Sequence, residues 1–347
     1  MNTTITEKAQ TKKPIQPRFE LMRLMTGNWI SQAVYTAAKL KLSDALLDGP
    51  LEAPALAEKL NVQEIELRRL LRALESLGLF RNLGEDRFEV TELGSFLAED
   101  RPDSLRPLAL FNGEALYAAW AQLPHAVTTG ESAFGRAHGA EIFEYLEAHA
   151  ETGAQFDSVM ASTHGAEAPA LVDSYDFSAF KTIIDVGGGK GSFVAEIVEK
   201  NAGSKGMVYD LPHVIDRARA YLEERGLSAR CDTQAGSFFD RVPEGGDAYL
   251  LRHVIHDWRD PEAGKILQKC RAAMNPKARL FIVEAVIPEG PEWSSSKMLD
   301  LNMLVICAGQ ERTAAEFNTL LAHNGFKMEA VHETKAPRVS LIEASVA

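Results

Sequence analysis

Apolar residues along this chain alternate between two spacings, and the switches mark its elements. Ile183, Ile184 and Val186 form a short β-branched run, the pattern of a buried strand. Gly187, Gly188, Gly189 and Gly191 follow at once, a crowded tight turn. Phe193, Val194, Ile197 and Val198 then recur at helical spacing, which predicts a helix from about Ser192. Gly206 to Asp210 reads as a second strand with Asp210 at its end. Further on, Ala248 to Leu251 predicts a strand and Asp260 to Met274 a helix. Leu280 to Glu284 is the next strand, and Thr313 to Asn324 is a helix closed by Gly325. Residues 327–346 hold one or two final strands. This alternation predicts an α/β unit with an open, mostly parallel sheet, whose ligands sit outside the carboxyl ends of the strands.

The first third of the chain is patterned differently. From Phe19 to Leu47 the spacing is helical, but Phe19, Leu21, Met22, Leu24, Met25, Trp29, Ile30, Val34 and Leu40 exceed one narrow core stripe. Such a helix is buried inside a domain or against a partner, and the second is the reading adopted here. Residues 51–97 resemble a winged helix-turn-helix: Ala53-Pro54 opens a helix through Leu60, and Asn61 turns the chain. Leu67, Leu70, Leu71, Leu74 and Leu77 line a second helix that ends at Gly78, and Phe80 to Val90 reads as a β-wing. The expected organisation is a disordered lead-in at 1–17, a mainly helical domain at 18–104, and an α/β domain at 105–347. A helical linker at 105–175 opens that last domain, with a glycine-rich break around Gly130–Gly139. Within the linker Phe156 and Met160 lie one turn apart on one helix face, as core residues or as a pocket wall.

Bulk properties narrow the function. The 347 residues carry a net charge of −12, which disfavours a nucleic-acid partner. The charges on the second helix of the winged segment, Glu64, Glu66, Arg68, Arg69, Arg72 and Glu75, are of mixed sign and make no phosphate-binding face. No apolar run approaches the ~20 residues that span a bilayer. Cys231, Cys270 and Cys307 are widely spaced and odd in number, which suggests reduced thiols in a cytoplasmic protein.

Segments at or just beyond strand ends carry candidate chemistry. The glycine turn has the spacing G-x-G-x-G after Asp185, with no G-K-[ST] ending, so it is not a Walker loop. Asp210, about 20 residues beyond it, suits a ribose diol and points to an adenosine-bearing ligand. Arg252-His253-Val254-Ile255-His256-Asp257-Trp258 follows one strand, Glu284 ends another, and Gly309-Gln310-Glu311-Arg312-Thr313 precedes the late helix. A histidine between two carboxylates is suited to base catalysis, because they fix its tautomer and stabilise the imidazolium. The competing reading is local: His256 as a packing residue, Glu284 as a solvated strand end and Glu311 as a helix N-terminal acid. His253 and His256 stand at i, i+3, but no cysteine pair or carboxylate repeat completes a metal site.

These motifs together resemble the class I S-adenosylmethionine-dependent O-methyltransferases of the caffeic-acid/hydroxyindole type, in a bacterial form. The resemblance rests on Asp185-Val-Gly-Gly-Gly-Lys-Gly191, Tyr209-Asp-Leu-Pro-His-Val214, Gly236-Ser-Phe-Phe239, Arg252 to Trp258, Val283-Glu284 and Glu311-Arg-Thr313. It spans essentially the whole chain, because that family also has an N-terminal winged-helix-like dimerisation domain. It implies a Rossmann-like methyltransferase domain, a homodimer, S-adenosylmethionine as cofactor and no metal. By the same resemblance Asp185, Gly187, Gly189, Asp210, Leu211, Ser237, Phe238 and Arg252 are expected at the cofactor. Ser237 and Phe238 stand where the family often has Asp and Met around the adenine, and Arg252 replaces a lysine usual in plant members. His256 matches the base, with Glu284 and Glu311 as flanking acids. Phe156, Met160, Asp257, Met298, Asn302 and Met303 fall in segments that line the family's acceptor pocket.

The reaction so implied is in-line transfer of methyl from a sulfonium to a hydroxyl, most simply a phenolic one. A free phenol titrates near ~10 and an unperturbed histidine near ~6.5, so full prior deprotonation is uphill by roughly 5 kcal/mol. Three alternatives stay open at this stage. The fold can be diverted to hydroxylation, decarboxylation or pericyclic chemistry, the winged helix can serve a cofactor-sensing regulator, and the acceptor can be an amine.

Overall fold

A computed structural model describes residues 16–165, 167–336 and 338–347. The expected lead-in falls outside the described residues as far as residue 15, and Pro17 already opens a helix. The chain divides into two compact units after Gly113.

The first unit begins with helices Pro17–Met25, Gly27–Lys39 and Leu42–Leu46. Helices Ala53–Leu60 and Glu64–Ser76 follow, separated by Asn61 in the left-handed conformation that turns the chain. The wing is a three-stranded antiparallel sheet in the order Leu51–Glu52, Arg87–Val90, Phe80–Asn82. Leu56, Leu67, Leu71, Leu74, Phe80 and Phe88 are buried together, so the leucine spacing of the second helix is a core stripe. Helix Arg106–Gly113 packs on Gly27–Lys39. Gly113 permits that approach, since a Cβ there would lie 2.1 Å from Tyr35 Cγ. Phe19, Leu24, Met25 and Trp29 are not part of this core; Met25 is 73% and Trp29 69% exposed.

The second unit is built on seven strands: β1 (Thr182–Val186), β2 (Lys205–Asp210), β3 (Cys231–Ala235), β4 (Ala248–Arg252), β5 (Arg279–Glu284), β6 (Phe326–Glu333) and β7 (Ser340–Val346). Their order is β6-β7-β5-β4-β1-β2-β3. Strands β1 to β5 run parallel, and β7 lies antiparallel between β5 and β6. The sheet is buried on both faces. Phe193, Ile197 and Leu222, from helices Ser192–Lys200 and Pro212–Glu224, cover one side. Ile266, Leu267 and Leu320, from Asp260–Ala273 and Ala314–His323, cover the other. Strand order reverses between β1 and β4, the position where such sheets open a ligand crevice. The glycine turn leaves β1 and the Arg252–Trp258 segment leaves β4, so both reach that crevice.

Candidate active site

The glycine turn is shaped by positions that tolerate no side chain. Gly187, Gly189 and Gly191 have φ of +70°, +59° and +82°. A Cβ on Gly187 would lie 2.8 Å from Val254 Cγ2 and 3.5 Å from the Phe238 ring. Asp210 closes the turn from the next strand. Its Oδ2 accepts from Gly189 N–H at 2.8 Å and its Oδ1 from Leu211 N–H at 2.7 Å.

A cavity of about 440 Å³ opens beside this turn, lined by Met160, Asp185, Gly187, Gly189, Arg252 and His253 among others. Asp185 is 1% exposed, and among the described residues neither carboxylate oxygen has a hydrogen-bond partner. Burial pushes its pKa up to about 6, against the pull of Arg252. A buried, unpaired carboxylate facing a cavity is the complement of a cation, such as the ammonium group of an amino-acid ligand. Arg252 donates to Ser192 Oγ at 3.1 Å, and among the described residues its Nη1 has no hydrogen bond. Asp185, the bare turn and Asp210 therefore suit a ligand with both a charged amino-acid part and a ribose, which is the chemistry of S-adenosylmethionine. Leu211 is 44% exposed beside Asp210. Ser237 Oγ accepts from Phe239 N–H at 3.2 Å, and Phe238 packs edge-on against Phe239 and Trp258. Asp210, Leu211, Ser237 and Phe238 do not line the 440 Å³ space.

The second cluster surrounds a single turn of 3₁₀ helix, Ile255–Asp257. His256 Nδ1 lies 2.7 Å from Glu311 Oε1 and 3.2 Å from Glu284 Oε2. Its Nε2 is 3.6 Å from Asp257 Oδ1. Both glutamate side chains are fully buried. Glu284 Oε1 accepts from the N–H groups of Val254, Ile255 and His256 at 3.0, 2.9 and 3.3 Å, so Glu284 caps the turn as well as facing the ring. Burial disfavours the imidazolium, but the charge of Glu284 and the bond to Glu311 outweigh it and raise His256 to about 10. Burial likewise raises Glu284, opposed by His256. The Asp257 pKa is also raised by burial.

Helix Ser295–Cys307 carries Met298, Asn302 and Met303 in the second unit. Met298 is 46% exposed, whereas Met303 is 6% exposed. Asn302 Oδ1 accepts from Trp120 Nε1 at 3.1 Å, which fixes the amide. Cys307 Sγ lies 3.9 Å from Asp257 Oδ1. Phe156 and Met160 share helix Ala150–His164, and Met160 faces the cavity.

Sequence reading overlooked His164 and Glu167. His253 Nε2 is 2.7 Å from Glu167 Oε2, and its ring stacks on His164 with centroids 4.1 Å apart. Burial lowers both histidines, His164 to about 3, and keeps them neutral. The donor set His164, Glu167 and His253 is close enough for a metal ion, as is His253, His256 and Glu284. Arg252 Nη1 stands 3.6 Å from Glu167 Oε2, however, so a fixed cation already faces that carboxylate. The spacing of Glu167 and His253, 86 residues apart, held no signal of this contact.

Residues 120–327 match an O-methyltransferase domain, and residues 22–100 match an O-methyltransferase dimerisation domain. The chain is 42% identical to phenazine O-methyltransferase PhzM of Lysobacter antibioticus over 93% of its length and 95% of the relative's. It is 37% identical to an 8-amino-8-demethylriboflavin N,N-dimethyltransferase of Streptomyces davaonensis, over 87% of this chain and 88% of that one. Among solved structures it resembles the O-methyltransferase NcsB1 from neocarzinostatin biosynthesis, in complex with S-adenosylmethionine and 2-hydroxy-5-methyl naphthoic acid. That match has a TM-score of 0.79 and 30% identity, over 92% of this chain and 96% of that one.

Proposed function

The chain belongs to the S-adenosylmethionine-dependent O-methyltransferases that join a dimerisation domain to a methyltransferase domain, and from this premise we infer that His256 is the base that takes the proton of an aromatic hydroxyl. The protein is an enzyme of methyl transfer that acts on a small molecule and needs no metal. When bound, the cofactor supplies a methyl group activated on a positive sulfonium.

One observation carries the assignment of the base: His256 Nδ1 lies 2.7 Å from Glu311 Oε1. An ionised carboxylate only accepts, so in the neutral ring Nδ1 carries the hydrogen and Nε2 presents its lone pair. Nε2 is therefore the atom that meets an acceptor hydroxyl. A histidine raised to about 10 is matched to a phenol, so the transfer itself is close to thermoneutral. The demand moves to keeping the ring neutral before the proton arrives, and a cation bound nearby lowers it. Asp257 Oδ1, 3.6 Å from Nε2, is placed to accept from a second donor beside the reacting oxygen, an ortho hydroxyl or amino group. Phe156, Met160, Met298, Asn302 and Met303 are assigned to the walls of the acceptor pocket. Asp185 is assigned to the cofactor's ammonium and Asp210 to its ribose.

The exposed apolar side chains of Leu24, Met25 and Trp29, within the span of the dimerisation match, support a homodimer formed through the first unit. Among the described residues no helix is long and apolar enough to cross a membrane. The three free cysteines favour a cytoplasmic setting, and the net charge of −12 favours a protein without a nucleic-acid partner.

The test of the acceptor class is incubation with methyl-labelled S-adenosylmethionine and a panel of catechols, aminophenols, hydroxyphenazines, hydroxynaphthoates and the corresponding anilines. The expected result is label on oxygen, strongest for acceptors with an ortho donor. Label on the anilines alone contradicts the hydroxyl assignment.

A further inference from the structure

The turn that bears His256 is only three residues long, so it holds almost none of its own hydrogen bonds. Its N–H side is capped by Glu284 Oε1. Its carbonyl side is met by Arg312, which is 0% exposed. Arg312 Nη1 donates to Ile255 O at 3.2 Å, and Nη2 donates to Trp258 O at 2.9 Å. Nη1 also reaches Gln310 O at 3.3 Å, while Nε and Nη2 share Asp260 Oδ1 at 3.0 and 2.8 Å. These five bonds match the five N–H donors of a guanidinium. The backbone supports the same fit. Gln310 N–H donates to His256 O at 2.9 Å, and a Cβ on Gly309 would lie 2.2 Å from that oxygen.

Arg312 is the neighbour of Glu311, and the short strand Arg312–Thr313 pairs in parallel with Val286–Ile287 just beyond Glu284. Successive side chains of an extended segment point to opposite sides. One goes to the imidazole, the other to the carbonyls of the turn. We propose that Arg312 is a positioning residue, which holds the His256 turn at a fixed distance from Glu311 so that Nδ1 stays bonded and Nε2 stays aimed at the acceptor. The proposal rests on His256 as base. It assigns Arg312 no contact with substrate or cofactor, and its role needs the planar fork rather than charge alone, so lysine does not replace it.

The test compares Arg312→Lys, Arg312→Ala and, as a milder variant that keeps the core intact, Asp260→Asn. Cofactor binding is titrated, kcat is expressed per cofactor-binding site, and the pH profile is recorded. A misplaced base lowers kcat by about 10²-fold in the two Arg312 variants. The expected cofactor affinity is unchanged within about 3-fold, and guanidinium chloride at millimolar concentration restores part of the activity of Arg312→Ala. The groups facing His256 are Glu284 and Glu311, from β5 and the segment before helix Ala314–His323, Asp257 on its own turn, and His253 after β4. Loosening the turn weakens the carboxylate contacts, so the acid limb moves to lower pH, by a smaller amount in Asp260→Asn. A residue needed only for folding would reduce the number of binding sites and leave kcat per site and the pH profile unchanged. That result in the folded variants, or an unshifted profile in Asp260→Asn if the Arg312 variants fail to fold, overturns the proposal. Loss of activity with no guanidinium rescue and an unshifted profile does the same.

Discussion

Glu311 Oε1 stands 2.7 Å from His256 Nδ1, while Glu284 approaches the same atom only to 3.2 Å and gives its other oxygen to three backbone N–H groups. The two acids that flank His256 thus do different things. One sets the tautomer, and the other builds the turn.

This division separates their variants. Glu311→Gln is expected to lower kcat by roughly 10²-fold, within the range of general-base contributions, with little change in melting temperature. Glu284→Ala removes the acceptor of three buried donors and is expected to lower stability by about 3 kcal/mol as well as activity. Paired kinetics and thermal denaturation of the two variants check this. Equal stability losses contradict the assignment.

The raised pKa of His256 fixes the direction of the pH dependence. Only the neutral ring accepts a proton, so activity is expected to rise with pH through neutrality toward about 10 in the profile of kcat/KM for the cofactor, which reports the free enzyme. Glu311→Gln removes one source of the upward shift, so its acid limb moves to lower pH. Rate measurements from pH 6 to 10 test this. A wild-type limb near ~6.5, the unperturbed histidine value, contradicts it.

Asp185 makes a prediction about stability without cofactor. Its native pKa of about 6 lies above the ordinary aspartate value of 3.8, so the folded state binds its proton more tightly than the unfolded state does. The resulting penalty grows as pH rises from about 4 to 6 and is complete above that, at about 3 kcal/mol. Asp185→Asn is expected to be more stable than wild type at pH 7.5 and to differ little at pH 4, while cofactor affinity falls at least about 10-fold. Chemical denaturation at both pH values and cofactor titration measure these effects. Lower stability at pH 7.5 contradicts the account.

Gly187→Ala adds a Cβ 2.8 Å from Val254 Cγ2 at a φ of +70°. The strain displaces the turn against which the cofactor binds, so cofactor affinity is expected to fall by at least about 10-fold, with a stability loss of about 1–2 kcal/mol. Calorimetric titration with the cofactor tests this, and wild-type affinity contradicts it.

The parts of this architecture that announce themselves in the sequence are those built from local pattern. Ile183-Ile184 and Leu280 to Val283 are apolar runs because β1 and β5 are buried on both faces, and such strands read directly. Strand β3, Cys231–Ala235, was not anticipated: as an edge strand of Cys-Asp-Thr-Gln-Ala it carries no apolar run. The segment around Trp29 shows the converse. Its apolar excess is legible, yet the side chains are exposed among the described residues of the single chain. Strand-end position and resemblance single out His256, Glu284 and Glu311, and the fold brings the three side chains together. That Glu284 caps the turn is not legible in the sequence, since the role depends on where three N–H groups point. Arg312 and Glu167 read as ordinary charges until the fold brings them to partners far along the chain.

The most direct test of the central claim is methyl-label transfer by wild type and His256→Gln to the best acceptor, with cofactor affinity measured on the same samples. The account predicts that the variant loses at least about 10²-fold in kcat while cofactor affinity stays within a few-fold. Undiminished turnover by His256→Gln would contradict it and leave alignment of the reacting atoms as the main catalytic device.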